Sequence, residues 1–111
     1  MGIAEVAYRF PAEISPGMQR RVALARALCL APSILTADEP TTGLDPKAAR
    51  SVNKALLQLT DEGVTLVVVT HDLRSIQMLQ PRLTWVHDKK ARFAGGLDDS
   101  LPEELQKILQ L

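Results

Sequence analysis

The chain has 111 residues, of which 13 are Lys or Arg and 13 are Asp or Glu, so its formal net charge is zero. A balanced charge gives no general electrostatic reason to bind nucleic acid or anionic lipid, and the length suits a single domain with one core. The lone cysteine, Cys29, has no partner for an intrachain disulfide, so we expect a buried, inert thiol in a reducing, cytosolic setting.

The first predicted element is a helix over residues 18–30, because apolar positions recur there near i, i+3, i+4 and i+7. Pro32 ends this helix. Its basic side chains are Arg20, Arg21 and Arg26, and we expect them to form a solvated helix face rather than a phosphate-binding patch. Residues 1–13 form a short lead-in, in which Pro11 argues against continuous helix.

Two strands and a long helix are predicted next. Residues 34–37 are apolar and too few for a free helix, which is typical of a strand buried on both faces of a sheet. Asp45 is placed to N-cap a helix that runs to about Glu62, where Gly63 ends it. Residues 64–70 are rich in β-branched side chains and predict a second buried strand, as in a parallel sheet whose strands alternate with helices.

A short helix and a hairpin follow the second strand. Asp72 is placed to cap the helix, which ends near Gln80. Residues 83–87 and 91–94 flank a polar turn and predict a hairpin at the edge of the sheet. His87 matches no motif, and we expect it to be structural.

The last predicted element is a helix that extends through Leu111. Ser100 and Glu103 have the spacing of a capping box for its N-terminus. Its apolar stripe consists of Leu101, Leu105, Ile108 and Leu109. Such a stripe is more often core packing than a partner surface.

Two carboxylates and a histidine follow the predicted strands. Asp38 and Glu39 come at the C-terminal end of the first strand, the end at which open α/β sheets bind ligands. A carboxylate can bind a cation or accept a proton. His71 ends the second strand. Taken alone, each is more often an ordinary strand-end residue, so the surrounding sequence must show whether these residues are functional.

Four motifs stand in one order along the chain: ISPGMQRRVALARAL at 14–28, SILTADEP at 33–40, TTGLDP at 41–46 and VVVTHD at 67–72. In this order and at this spacing they resemble the signature, the Walker B strand, the D-loop and the switch histidine of the ABC transporter ATPases. The resemblance covers roughly residues 9–95. It implies an α/β fold, part of the P-loop NTPase fold of ABC ATPases, with a parallel sheet core flanked by helices and a C-terminal edge hairpin and helix.

The resemblance implies a role for each matching residue. Glu39 and His71 would be catalytic, the first as the carboxylate that activates water and the second as the switch histidine, and Asp38 would hold Mg²⁺. The implied nucleotide-binding residues are Ser15, Gly17, Met18, Gln19 and Asp45. In ABC ATPases the signature acts in trans, on ATP held by the phosphate loop of the opposing subunit.

The implied activity is the hydrolysis of ATP to ADP and phosphate, which energises transport across a membrane with ATP and Mg²⁺ as cofactors. The implied partners are a second ABC ATPase subunit and transmembrane permease subunits, with no direct contact to nucleic acid. The sequence has no secretory signal and no apolar run near the roughly 20 residues of a membrane span. We therefore expect a cytoplasmic protein held at the inner face of the cell membrane by permease subunits.

The phosphate loop G-x-x-x-x-G-K-[ST] does not occur in the 111 residues. We therefore expect residues 1–111 to be the C-terminal part of a single ABC ATPase domain, truncated and inactive by itself. Its expected regions are the signature helix at 9–32, the Walker B to switch-histidine core at 33–80, and the hairpin and helix at 81–111.

Two alternatives stay open. The chain could be a catalytically inactive accessory or degenerate ABC fragment that supplies only the signature surface, or a soluble ABC protein of translation or DNA repair. Translation members carry Asn-His where this chain has Thr42-Gly43, which argues against the second alternative. Within transporters, the DEPTTGLDP form and the tail resemble importer-type or lipid-trafficking cassettes, and the substrate is left open.

Pro16 is the departure from the signature, because it replaces a glycine and removes one backbone N–H. Gly17 keeps the N–H that the family pattern assigns to the γ-phosphate. We predict that Pro16→Gly in a full-length parent raises the ATPase rate or leaves it unchanged. A clear drop in the measured rate would show that the proline is adapted to this site.

Overall fold

The structure, a computed structural model, describes residues 15–110. The predicted lead-in at residues 1–13 and the predicted helix end at Leu111 lie outside the described residues. The elements in order are α1 (Pro16–Leu28), β1 (Ile34–Asp38), α2 (Pro46–Asp61), β2 (Thr65–Val69), α3 (Leu73–Leu79), β3 (Leu83–His87), β4 (Lys90–Gly95) and α4 (Glu103–Leu109). The chain divides into two compact units, one that extends to Ser75 and one that begins at Ile76. Over the described range, no helix combines the length and the apolar character that crossing a membrane requires.

The first unit is built on the parallel pairing of β1 with β2. Ile34 lies opposite Thr65 and Asp38 lies opposite Val69, in an unbroken register. Parallel neighbours need a crossover connection, which α2 supplies here. The predicted parallel sheet is confirmed for these two strands, and their carboxyl ends meet at one end of the sheet.

The helix α2 provides most of the core of the first unit. Asp45 caps it as predicted, since its Oδ1 accepts a hydrogen bond from the Ala48 amide at 2.7 Å. Gly63, at a φ of +92°, allows the chain to leave the helix where a side chain would be strained. Both α1 and β2 pack against α2. The buried residues of the helix recur at helical spacing and are Ala49, Val52, Asn53, Ala55, Leu56 and Leu59.

The helix α1 begins two residues earlier than predicted. The Ser15 hydroxyl accepts a hydrogen bond from the Met18 amide at 3.2 Å, and Pro16 occupies the first turn, where its missing N–H has no intrahelical partner. Gly17 is buried, and a Cβ there would lie 3.0 Å from the Cβ of Ala48. The absence of a side chain at this position therefore lets the start of α1 approach the start of α2.

The end of α1 also differs from the prediction. The helix ends at Leu28, and Cys29 is its C-cap. The expectation of a buried thiol is wrong, because Cys29 is exposed and its Sγ donates a weak hydrogen bond to the Ala25 carbonyl at 3.4 Å. The apolar residues next to Cys29 in sequence do not bury its thiol, because the helix ends at Leu28.

The expectation of two buried strands, the first covered on both faces, is wrong for the described residues. Leu35 is buried, but Ile34, Val67 and Val69 are each at least half exposed. Successive residues of a strand point to opposite faces of a sheet. One face of the β1–β2 pair is therefore packed, while the other remains open within residues 15–110.

The second unit contains the predicted hairpin. β3 and β4 pair antiparallel, but among the described residues they form a two-stranded sheet of their own rather than the predicted edge of the parallel sheet. Asp88 and Lys89 both have positive φ, 49° and 63°, as a tight two-residue hairpin turn requires. The ring of His87 stacks on Trp85 with a centroid separation of 5.6 Å. This packing agrees with a structural role for His87.

The helix α4 does not begin with the predicted capping box. Its N-cap is Pro102, which makes no side-chain capping hydrogen bond. Glu103 is the first helical residue rather than the third, so Ser100 lies too early in the chain to cap it. The apolar stripe is half exposed at Ile108 and buried at its other positions, Leu101, Leu105 and Leu109.

We predict that Leu56→Ala lowers the free energy of unfolding by about 2–5 kcal/mol, because Leu56 is only 1% exposed and its truncation leaves a cavity. Urea denaturation followed by circular dichroism measures the change. The matched control is Leu30→Ala at a side chain that is 85% exposed, which should change stability by no more than about 0.5 kcal/mol. Equal losses in the two variants would contradict the assignment of the α2 face as the core.

Candidate active site at the ends of the parallel strands

A tight turn, residues 39–42, follows β1. The Glu39 amide donates to the Val69 carbonyl at 2.7 Å, which extends the β1–β2 pairing one residue beyond β1. Glu39 has a φ of +48°, in the left-handed region, which costs about 1 kcal/mol for a residue with a Cβ. The Thr42 amide donates back to the Glu39 carbonyl at 3.3 Å. This reversal of the backbone holds the Glu39 carboxylate at the carboxyl end of β2.

Glu39 and His71 form a hydrogen-bonded pair. His71 Nδ1 lies 2.6 Å from Glu39 Oε1, and the Thr42 hydroxyl donates to Glu39 Oε2 at 3.1 Å. A carboxylate only accepts hydrogen bonds, so the shared proton belongs to Nδ1 of His71. The hydrogen bond from His71, aided by Thr42 and opposed by desolvation, lowers the pKa of Glu39 below its ordinary value of 4.5. Glu39 is therefore ionised at neutral pH, while the His71 ring is 83% exposed and accessible to a ligand.

Asp72 ties the residue after His71 to the same turn. The Thr41 hydroxyl donates to Asp72 Oδ2 at 2.7 Å, and the Arg74 amide donates to Asp72 Oδ1 at 3.0 Å at the start of α3. Partial burial raises the pKa of Asp72, but the hydrogen bonds from Thr41 and Arg74 outweigh it, so the pKa lies below its ordinary value of 3.8. Asp72 therefore serves both as the predicted helix cap and as an anchor for the 39–42 turn.

A chain of buried polar groups continues from this anchor into α2. The Thr41 and Ser75 hydroxyl oxygens lie 3.4 Å apart, and Asn53 Nδ2 donates to Ser75 Oγ at 3.0 Å. All three side chains are buried. Buried polar groups are costly unless they are paired, so these bonds fix the turn relative to α2 and to Ser75. Over residues 15–110, Asn53 Oδ1 has no hydrogen-bond partner.

Arg20 of α1 contacts the backbone of the turn. Its Nη1 donates to the Pro40 carbonyl and its Nη2 to the Thr42 carbonyl, each at 2.7 Å, with a longer contact of 3.4 Å from Nη1 to the Glu39 carbonyl. The expectation of a solvated arginine face is wrong for Arg20, which is half-buried. Arg20 follows Gly17 by three positions and so lies on the helix face that approaches α2.

The predicted nucleotide-binding residues lie at two neighbouring helix N-termini. Ser15 caps α1 and Asp45 caps α2, and each uses a side-chain oxygen to accept a backbone amide of its own helix. The first turn of α1 contains the other three, Gly17, Met18 and Gln19. Free N–H groups and the helix dipole make such a terminus suited to an anion.

Asp38, the predicted magnesium ligand, ends β1 and is exposed. Within the described part of the chain, no three His, Cys, Asp or Glu side chains are grouped as a metal cage. Mg²⁺ is usually bound by one or two carboxylates together with substrate phosphates and water. An exposed carboxylate at the end of the strand fits a site of that kind, which a bound nucleotide would complete.

The structure brings Glu39 and His71 into contact, with Asp38 next to them in sequence, and Arg20 connects them to the helix that carries the signature. The sequence interpretation missed the residues that hold the turn and Glu39 in place, which are Arg20, Thr41 and Thr42. It predicted Asp72 only as a helix cap and missed its contact with Thr41. Arg20 follows Gly17 by three residues, and this helical spacing could have indicated that both lie on the same face of α1. The contact of Thr41 with Asp72 joins residues 31 positions apart and has no local signal.

Comparison with known proteins decides the family. The family model described as ABC transporter matches residues 1–42. The glutamine transport ATP-binding protein GlnQ of Escherichia coli is 40% identical over 107 residues, which are 96% of this chain and 42% of GlnQ. The glutamate/aspartate import ATP-binding protein GltL of Escherichia coli is 39% identical, with 98% of this chain and 48% of GltL covered.

A solved structure agrees with these relatives. The dimeric post-hydrolysis state of the ATP-binding cassette MJ0796, bound to ADP and Pi, has a TM-score of 0.70 and 36% identity, and the match covers 88% of this chain and 44% of that one. The chain belongs to the ABC transporter ATP-binding family. The resemblance seen in the four motifs is therefore confirmed, as is the partial ABC ATPase fold. The chain spans less than half the length of these two relatives.

We predict that Thr41→Val lowers the free energy of unfolding at pH 7 by about 1–3 kcal/mol, because Asp72 loses a charge-assisted hydrogen bond and Ser75 loses a buried neighbour. The folded pKa of Asp72 lies below 3.8, so this contribution is present above about pH 4 and is lost as the pH falls through the folded value. Urea denaturation at pH 7 and at lower pH should show the deficit of Thr41→Val shrinking in acid.

The matched control for this prediction is Thr41→Ser, which keeps the hydroxyl donor and removes only a methyl group. It should retain the pH dependence of the wild-type chain. A deficit of Thr41→Val that stays constant with pH would show that the hydrogen bond to Asp72 is not its cause.

Proposed function

We propose that this sequence supplies the signature, the water-activating carboxylate and the switch histidine to the ATPase of an amino-acid ABC transporter. The observation that carries the proposal is the 2.6 Å contact of Glu39 with His71 at the carboxyl ends of two parallel strands. A structural surface pair would need neither the left-handed backbone at Glu39 nor the buried anchors behind it. Both features hold a carboxylate and an accessible imidazole where substrates bind to open α/β sheets.

Glu39 and His71 divide the chemistry between them in this proposal. The ionised Glu39 orients the attacking water and accepts its proton, and a pKa lowered by His71 keeps the carboxylate in its accepting form. His71 presents its exposed ring to the γ-phosphate and stabilises charge that develops in the transition state. Asp38 would hold Mg²⁺, which would neutralise phosphate charge.

The N-terminus of α1 contributes to a second site. We propose that Ser15 and Gly17 contact the γ-phosphate of ATP held by an opposing ABC ATPase subunit, with Met18, Gln19 and the Asp45 cap of α2 completing that surface. The adjacency of the two helix N-termini supports this, because Gly17 at the start of α1 lies against Ala48 at the start of α2, and a helix N-terminus carries partial positive charge. MJ0796, to which the chain is similar, is itself described as a dimer.

The substrate class comes from the names of the relatives. GlnQ is named for glutamine transport and GltL for glutamate and aspartate import, which favours amino acids over the lipids that the tail alone suggested. The proposal therefore includes permease subunits that hold the protein at the cytoplasmic face of a membrane. Residues 1–111 would form part of one ABC ATPase domain, with regions at 9–32, 33–80 and 81–111.

A cassette exchange tests the proposal. The segment of an intact amino-acid ABC ATPase that aligns with this chain is replaced by the chain, and ATP hydrolysis is measured together with ATP binding. We expect a hydrolysing cassette, and Glu39→Gln should reduce kcat by at least about a hundredfold while ATP binding is kept. Asp88→Asn, on the hairpin turn, is the control for removal of a carboxylate.

The 111-residue chain by itself is the second arm of this test. It contains no phosphate loop, so isothermal titration with Mg-ATP should detect no tight binding. A cassette that binds ATP but hydrolyses none, or micromolar binding by the isolated chain, would contradict the proposal.

A further inference from the structure

We propose that Arg20 is a positioning residue that holds the 39–42 turn in its productive conformation and links the start of α1 to Glu39. This inference rests on the function proposed above. Arg20 touches neither Glu39 Oε1 nor His71, so its effect passes entirely through the backbone of the turn.

The contacts of Arg20 have the geometry of a backbone clamp. Two different nitrogens of one planar guanidinium reach the carbonyls of Pro40 and Thr42, each at 2.7 Å. Such a two-nitrogen fork fixes the relative position of its two acceptors as well as contacting them. Pro40 and Thr42 flank the point at which the turn reverses, so the clamp sets the shape of the turn.

The conformation at Glu39 explains why a clamp is needed. A left-handed backbone at a residue with a Cβ persists only where the surroundings impose it. The strand pairing to Val69 fixes the amide of Glu39, and the Thr41 hydroxyl fixes the middle of the turn. The carbonyls of Glu39 and Thr41 accept backbone amides, whereas those of Pro40 and Thr42 are bound by Arg20, a contact that neither of the other two anchors makes.

The same side chain connects two functional surfaces. Arg20 is one turn along α1 from Gly17, which lies against α2 at the helix start proposed to meet phosphate. A displacement of α1 therefore moves the guanidinium, the two carbonyls and the backbone that carries Glu39. Through Arg20, phosphate contact at the N-terminus of α1 would therefore be coupled to the position of the Glu39 carboxylate.

Nuclear magnetic resonance on the 111-residue chain tests the clamp. In Arg20→Met, the carbonyl ¹³C signals of Pro40 and Thr42 should shift, and amide order parameters over 41–43 should fall from about 0.85 toward 0.6. Arg26→Met removes an exposed arginine from the same helix and should change neither. Arg20→Lys keeps the charge and the stem without the planar fork, so it should fold and give an intermediate order parameter.

Steady-state kinetics in the exchanged cassette tests the consequence for catalysis. Arg20→Met should lower kcat about tenfold with the KM for ATP unchanged, because Glu39 is misplaced while ATP contacts stay intact. Arg20→Lys should recover part of kcat. Arg26→Met should match the wild-type cassette in both constants.

The outcomes distinguish a failure of the Arg20 clamp from a failure of the proposed function. Unchanged carbonyl shifts and order parameters in both Arg20→Met and Arg20→Lys overturn the clamp, whether or not the cassette is active. A loosened turn with wild-type kcat overturns the positioning role. An inactive wild-type cassette overturns the proposed function, and the magnetic resonance measurements still decide whether Arg20 shapes the turn.

Discussion

The parallel pairing of β1 with β2 is the constraint on which the rest of the first unit depends. Its register places Asp38 opposite Val69, and the next amide, that of Glu39, bonds to the Val69 carbonyl. The segments that follow the two strands therefore emerge side by side. Glu39 and His71 are 32 residues apart in sequence, and the strand pairing together with the Thr41–Asp72 hydrogen bond brings them into contact.

The turn after β1 is held from three directions, each by a different kind of interaction. The sheet provides a backbone hydrogen bond, α1 provides a charged fork from Arg20, and a buried hydroxyl of Thr41 reaches Asp72. Helix α2 supports all of them, because it packs against α1 and β2 and buries Asn53 beneath the polar chain. The apolar core and the polar site thus share one helix.

Much of this arrangement could be predicted from the sequence, because short-range rules govern it. Caps such as Asp45 and Asp72, the hairpin turn at Asp88 and the parallel strands follow from local spacing and composition. The motif order also indicated Glu39 and His71 as candidates, and the structure brings their side chains into contact. Exposure was harder to predict: apolar strand residues such as Val67 indicate a buried face, but burial depends on what packs there, which a local pattern does not contain.

Two other features were not predicted, for different physical reasons. In sequence, Arg20 looks like any solvated arginine on a helix. Only the packing of α1 against α2 brings its guanidinium to the carbonyls of the 39–42 turn. For Arg20, packing selects one of two compatible local structures. Ser100 and Glu103 satisfy a capping pattern, yet the helix begins at Glu103, because Pro102 disfavours helical backbone at Leu101, and this steric rule outweighs the capping pattern.

The left-handed backbone of Glu39 implies a conflict between folding and function at this position. Glycine or asparagine would occupy this conformation with less strain, so the folded chain is less stable with glutamate there than the backbone alone would allow. In this chain the strain at Glu39 supports the proposal that its carboxylate is catalytic, on grounds separate from the family resemblance.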